Sequence, residues 1–282
     1  MSEPLLVIRP PRGLASLNLG EVLAYREIVQ TFAMREIKLR YRQTALGMIW
    51  VVLQPLLTAG IGSFIFGQLA GFAHGDGVGY FVRTYAGQLA WGVFGLAIFK
   101  IHTSLVGNAP MLSKVFFPRL TLPLASAVAA LMDFLIGLAL MLVLLVVTGT
   151  PLTLAILTLP LWVLMLSVFA LGIGMMAAAL MVSYRDVGFV LPVVLTSLQQ
   201  LSPVYWPLAE LSRHAPTWLP PGAYLALNPV APLIEGMRWS LTGGQLAVAP
   251  GWVGYSCAWA LVALALGILI FRTEERRFAD VV

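Results

Sequence analysis

Charge is scarce in this chain, and recognisable chemistry is scarcer. One residue in ten is Asp, Glu, Lys or Arg, while sixty per cent are hydrophobic and the mean hydropathy is +0.90. Those values exclude an ordinary soluble domain. The single cysteine, Cys257, lies in an apolar run, so no disulfide can close within the chain and the redox compartment is unreadable. No G-x-x-x-x-G-K-[ST] segment occurs, which removes the usual loop for cradling nucleotide phosphates. No H-E-x-x-H occurs either, and the three histidines are scattered. Asp76, Asp133, Asp186 and Asp280 lie too far apart for the paired acidic motif of a prenyl-phosphate enzyme. Nothing pairs an activated nucleophile with a base. Residues 1–20 carry Arg9 and Arg12 around Pro10-Pro11 but lack the apolar core of a cleavable leader. No inverted repeat of the secondary-transporter kind stands out. These absences disfavour catalysis by the chain itself and favour transport.

What is present is long and apolar. Runs free of Asp, Glu, Lys and Arg cover 43–75, 84–99, 134–184, 187–209 and 239–271. A spanning helix needs roughly 17–25 apolar residues. The expectation is an all-α integral membrane protein with six transmembrane helices at about 47–70, 83–103, 120–147, 152–182, 187–205 and 251–271. The first is interrupted by Gln54-Pro55 and dotted with glycines that suit close helix packing. Placing both termini inside puts fourteen of seventeen basic residues in cytoplasmic segments, leaving Arg83, Arg213 and Arg238 outside. That asymmetry is the positive-inside rule. The sequence pI near 9.6 therefore marks span ends and not a nucleic-acid surface.

Four further features divide the chain. Residues 1–20 read as a flexible arm, 21–42 as a cytoplasmic amphipathic interface helix, 43–271 as the transmembrane domain and 272–282 as a cytoplasmic tail. In the interface helix Val22, Tyr25, Val29, Phe32 and Ala33 form an apolar stripe, and Glu36 faces Arg40 at i,i+4. Such a helix should lie in the membrane interface, where anionic lipid headgroups attract its Lys and Arg. Asp133 falls near the middle of the third span and is either a functional group or a buried group bonded to a neighbouring helix. Lys100 can snorkel from the inner end of the second span. His74 and Asp76, in a glycine-rich turn, supply too few ligands for a metal.

Residues 201–239 hold seven of the eighteen prolines between two apolar runs. Proline fixes φ and removes a donor, so no single helix can pass through Pro216, Pro220, Pro221, Pro229 and Pro232. Short helices at the membrane surface, re-entrant in character, or a structured outer loop both suit this pattern. Asn228-Pro229 reads as an N-cap followed by a first-turn proline, with Glu235 and Arg238 at i,i+3 beyond it. If those two form a buried pair, losing Glu235 alone should disturb the segment more than losing both.

Three motifs resemble the membrane subunit of type-2 ABC exporters of lipid-linked polysaccharides. The first runs Arg35-Glu36-Ile37-Lys38-Leu39-Arg40-Tyr41-Arg42, then Thr44, Leu46-Gly47, Trp50 and Gln54-Pro55. The second is Ser202-Pro203-Val204-Tyr205-Trp206-Pro207 with Leu227-Asn228-Pro229 and Ile234-Glu235-Gly236-Met237-Arg238. The third is Arg277-Phe278-Ala279-Asp280-Val281. The Arg-Tyr-Arg-x-Thr-x-Leu-Gly run fits the O-antigen and teichoic acid branch better than the capsule branch. The resemblance implies a homodimer in the bacterial inner membrane with two cytoplasmic ABC ATPase subunits. ATP and Mg would then act on the partner, with no cofactor or metal on this chain. It implies ATPase coupling through Arg35, Lys38, Arg40, Arg42, Met111 and Lys114, and through the turn Tyr184, Arg185 and Asp186. It also implies an outer gate comprising Tyr205, Trp206, Pro207, Asn228, Pro229, Glu235 and Arg238. Aromatic faces stack on sugar rings and tolerate sliding, so Trp50, Tyr85, Trp91 and Phe94 are candidates to line the path, or ordinary packing residues. Two rival functions share the topology or the lipid chemistry: export of a drug or small lipid, and a polyprenyl-lipid transferase.

Overall fold

A computed structural model describes residues 25–41, 49–112, 117–211 and 217–275. The arm 1–20, Arg42, Lys114, the third resemblance motif and the side chain of Arg40 lie outside them. Every regular element among the described residues is helical. Helix α1 is Arg26–Tyr41, α2 Ile49–Gly62, α3 Gly77–Trp91, α4 Ala97–Gly107 and α5 Ala109–Leu112. After them come α6 Thr121–Val147, α7 Leu159–Ser183 and α8 Val187–Leu201. The chain closes with α9 Pro221–Leu227, α10 Ala231–Thr242 and α11 Pro250–Glu275.

Five stretches among the described residues are long and apolar enough to cross a membrane: Val52–Leu69, Gly77–Gly107, Thr121–Val147, Leu154–Ser183 and Pro250–Glu275. Helix α8, the expected fifth span, has 15 residues. At 1.5 Å per residue it reaches only about 22 Å, short of the roughly 30 Å hydrocarbon core. It stops because Ser202 is extended ahead of Pro203, and a residue before proline is pushed out of the helical region.

The expected break at Gln54-Pro55 does not occur. Helix α2 runs through Pro55 and passes into a π-helical turn, Ser63–Leu69. Proline costs the helix one hydrogen bond, and local adjustments make that tolerable in a membrane. Here the Thr58 hydroxyl donates to the carbonyls of Gln54 at 2.9 Å and Pro55 at 3.1 Å. The next span joins α3 to α4 through a second π-helical turn, Gly92–Leu96. It is the central helix: two-thirds of its apolar window is buried, against 17–28% in the other four.

Helices α7 and α11 form the most extensive pair, crossing where Gly172 and Gly267 bring backbone against backbone. Helix α1 packs against α6. Ala33 packs into a small cluster with Ala125 and Ala129 of α6, and the Phe32 and Phe117 rings sit 5.3 Å apart. Helix α11 continues to Glu275, so the tail expected from residue 272 begins as helix.

One end of the bundle gathers α1, α5, the turn at Tyr184 and the end of α11. Arg119 donates to the Glu275 carbonyl, and Ser183 Oγ donates to Glu274 Oε2 at 3.3 Å. The other end carries the glycine turn, α9 and α10. In that turn Gly71 and Gly75 adopt φ of 80° and 88°, which side chains resist. Its two metal-like residues have other partners. Asp76 accepts from the Gly79 amide at 2.8 Å and pairs with Arg83 at 3.3 Å, while His74 Nε2 lies 3.2 Å from Glu210.

Candidate functional site

The segment expected to form a gate is organised by the turn 201–205. A proline-containing segment without helix or sheet leaves its carbonyls dependent on side-chain donors. Four side chains reach it. Tyr224 Oη donates to the Leu201 carbonyl at 2.8 Å, and Asn228 Nδ2 donates to Ser202 Oγ at 3.0 Å. Arg238 Nη2 donates to the carbonyls of Pro203 and, at 3.1 Å, Val204. Tyr80 Oη donates to the Tyr205 carbonyl at 2.6 Å. Burial pushes the Tyr224 phenol up, which keeps it a donor at any ordinary pH.

Arg238 is the hub. Its Nε donates to the Arg83 carbonyl at 3.1 Å and its Nη1 to the Glu235 carboxylate, so one guanidinium joins α3, α10 and the turn. It is 4% exposed and Glu235 7%, so both charges are desolvated and held by each other. Gly87 leaves room for this: a Cβ there would stand 2.3 Å from the Val204 carbonyl oxygen and 2.5 Å from Arg238 Nη2.

The expected cap is corrected. Helix α10 starts at Ala231 with Val230 at its N-cap, and its first-turn proline is Pro232. Asn228 instead ends α9, where its side-chain amide is committed to Ser202 and to Tyr224 Oη at 3.2 Å. A cap accepts through its side-chain oxygen, and Asn228 Oδ1 is buried without a donor from the start of α10. Pro229 is half-buried between the two helices. Tyr205 is buried, stacked on Phe66 with centroids 5.9 Å apart, and its hydroxyl accepts from Gln199 at 2.8 Å. Trp206 packs against Tyr224 at 5.9 Å, and Pro207 opens a short 3-10 turn, Leu208–Glu210.

At the opposite end Arg35 and Met111 meet. Arg35 Nη1 donates to Met111 Sδ and Nη2 to Asn108 Oδ1, both at 2.6 Å, which ties α1 to the segment after α4. Lys38, Tyr184, Arg185 and Asp186 are exposed there.

Between the ends, Asp133 has a partner that the sequence reading placed elsewhere. Lys100 does not snorkel: its Nζ lies 2.8 Å from Asp133 Oδ2 and 4.0 Å from Glu36 Oε1. Glu36 also reaches α6, accepting from Ser126 Oγ at 3.0 Å. A cation seven residues before the end of α4 meets these two acids sooner than it meets water. Lys100→Met should take its close counter-charge from the buried Asp133, costing about 3–5 kcal/mol. The yield of monodisperse protein from membranes should fall several-fold, and Lys100→Met with Asp133→Leu should recover most of it. An equal loss in the double variant would show that the lost counter-charge is not the cause.

A cavity of about 340 Å³ opens beside Asp133, walled by α2, the α3–α4 span, α6 and α8. Trp91 lines it, and Trp50 is exposed at the start of α2. Tyr85 and Phe94 do not line this cavity. Tyr85 has no exposed surface and donates to the Gly137 carbonyl at 3.1 Å; Phe94 is packed on Trp91 and Phe169. The sequence reading passed over Gln199, Asn108 and Tyr80. The adjacent amides Gln199-Gln200 in a charge-free run were the one signal available for Gln199.

The sequence has known relatives along nearly its whole length. The chain is 27% identical over 260 residues to the O-antigen export system permease protein RfbA of Myxococcus xanthus, covering 92% of this chain and 97% of that one. It is 23% identical over 265 residues to the protein of the same name in Klebsiella pneumoniae, covering 94% and 97%. To the polysialic acid transport protein KpsM of Escherichia coli it is 25% identical over 263 residues, covering 88% and 93%. Residues 27–242, from α1 through α10, match the family described as ABC-2 type transporter. With spanning helices between a basic, arginine-tied end and a proline-rich end clamped by Arg238, the chain belongs to the ABC-2 type transporter family.

Proposed function

We propose that the chain is the transmembrane subunit of an ATP-driven exporter that carries a lipid-linked polysaccharide across the bacterial inner membrane, from the cytoplasmic to the outer side. The observation that carries this is the nearly end-to-end similarity to permeases named for O-antigen export and polysialic acid transport. Two ATPase subunits would bind the basic end, and ATP and Mg would be theirs, since this sequence has no phosphate loop. A second copy of the chain would cover the apolar faces of α2 and α8, where Trp50, Leu57, Ile61, Phe189, Val190 and Val193 are exposed. The distribution of Lys and Arg supports cytoplasmic termini.

Motion of the ATPases would enter at Lys38 and at Tyr184-Arg185-Asp186. Arg35 passes it from α1 to the segment after α4, and Glu36 passes it towards Lys100 and Asp133. At the far end the gate yields when the donors holding residues 201–205 let go. Deleting the gene in its own host should remove the surface glycan and accumulate the lipid-linked chain inside, and the gene in trans should restore export. The purified chain should hydrolyse no ATP until its partner is added. Normal surface glycan in the deletion strain, or drug sensitivity as its sole change, would overturn the proposal.

A further inference from the structure

We infer that the cavity between α2, α3–α4, α6 and α8 is a subsite for a short, uncharged, hydroxyl-rich stretch of sugar, and that Gln199 reports its occupancy to the gate. This rests on the export reading and goes further by placing and typing a contact.

Three helices that wall the cavity are irregular where they face it. Pro55 lies inside α2, Pro192 inside α8, and the π-helical turn Gly92–Leu96 interrupts the central span. Non-standard backbone at membrane depth survives only where protein or a polar cavity covers it, and π-helical turns concentrate at functional sites. A Cβ on Gly92 would meet nothing within 4 Å, so that wall is open space. The volume, about 340 Å³, falls in the ~300–1,000 Å³ range of small-ligand pockets.

The lining selects the ligand. Gln54, Thr58, Gln88, Thr196 and Gln199 bring amides and hydroxyls, which both donate and accept. Thr58 and Thr196 spend their protons on the Gln54 and Pro192 carbonyls, both at 2.9 Å, leaving lone pairs for an incoming hydroxyl. Among the described residues Asp133 is the only charged one in the lining, and Lys100 neutralises it from behind. A phosphate or carboxylate would meet no cation among the described lining residues and would face that carboxylate. A neutral sugar finds alternating donors and acceptors, with the Trp91 ring as an apolar wall.

Gln199 joins this cavity to the gate. Its Nε2 donates to Gln88 Oε1 at 3.0 Å and to Tyr205 Oη at 2.8 Å, which uses both hydrogens. A sugar hydroxyl that takes one of them competes with the gate tyrosine. Loss of that bond loosens the ring stacked on Phe66 and the turn Tyr205 belongs to.

The test is photo-crosslinking in cells that make the host glycan, with the whole transporter present. A benzophenone amino acid replaces Thr196 in the cavity, Val143 on the exposed face of α6, or Trp206 in the gate. The expected result is a glycan-bearing adduct at Thr196 and none at Val143. Adducts at Trp206 but not Thr196 overturn the subsite and leave export standing. No glycan at either position, with normal surface glycan after gene deletion, removes both. A phospholipid adduct at Thr196 shows a lipid-filled cavity and overturns the subsite. The link to the gate is read by thiol labelling from outside at Trp206→Cys in a Cys257→Ser background. Adding Gln199→Leu should raise the labelling rate several-fold without ATP, whereas Gln88→Leu, which spares the Tyr205 bond, should not. Equal rates in all three overturn the link.

Discussion

Replacing Arg238 by Met should be the most damaging single change in residues 201–239. It strips donors from the carbonyls of Pro203, Val204 and Arg83 and leaves Glu235 buried without its counter-charge. Breaking a buried pair costs about 3–5 kcal/mol, and each orphaned carbonyl adds roughly 1–3 kcal/mol. Taking roughly 2–4 °C per kcal/mol, the melting temperature in detergent should fall by about 10 °C or more. The geometry reverses the ranking drawn from sequence. Glu235→Gln leaves Arg238 among three carbonyls and can still accept its hydrogen bond, so this variant should be mild. The double variant loses the same three bonds as Arg238→Met and should be nearly as damaged. Melting curves and surface-glycan complementation for the three variants decide the order. A Glu235→Gln variant worse than the double would mean that charge balance, and not the carbonyl clamp, holds this segment.

A second large effect is expected at the crossing of α7 and α11. A Cβ on Gly172 would lie 2.4 Å from the Ala263 carbonyl carbon and the Leu264 nitrogen. Comfortable carbon contacts begin near 3.5 Å, so the helices would have to part by about 1 Å. Backbone cannot rotate aside as a side chain can. Overpacking of this kind costs about 1–3 kcal/mol. In a membrane, where lipid tails are as apolar as leucine, close approach is much of what holds two helices together. Gly172→Ala should reduce folded protein several-fold, and Gly172→Leu should leave almost none. Gly254→Ala on α11, where a Cβ would meet nothing within 4 Å, is the matched control and should be neutral. Yield of monodisperse protein from membranes measures all three. Equal recovery of Gly172→Ala and Gly254→Ala would show that the crossing is not required.

By itself the sequence determined the class and the sites' neighbourhoods. Uncharged runs of spanning length need no tertiary information, because lipid leaves helix as the only economical backbone for them. The prolines of 201–239 likewise forbid a single helix there, and the sequence places Glu235 and Arg238 on one face of α10. Partnership across helices was not legible. Lys100 and Asp133 are 33 residues apart, and only the packing of α4 against α6 makes them a pair. Asn228 looked like a cap because its neighbours suited one; the tertiary structure gave its amide to Ser202 instead. Tyr85 and Phe94 resembled path-lining aromatics because composition does not tell which face of a buried helix meets a cavity. The cavity itself exists only where four helices fail to close around two prolines and a π-helical turn. Local rules set which residues can bend or bond. Which of them meet is a property of three-dimensional packing, where contacts between residues distant in sequence decide the outcome.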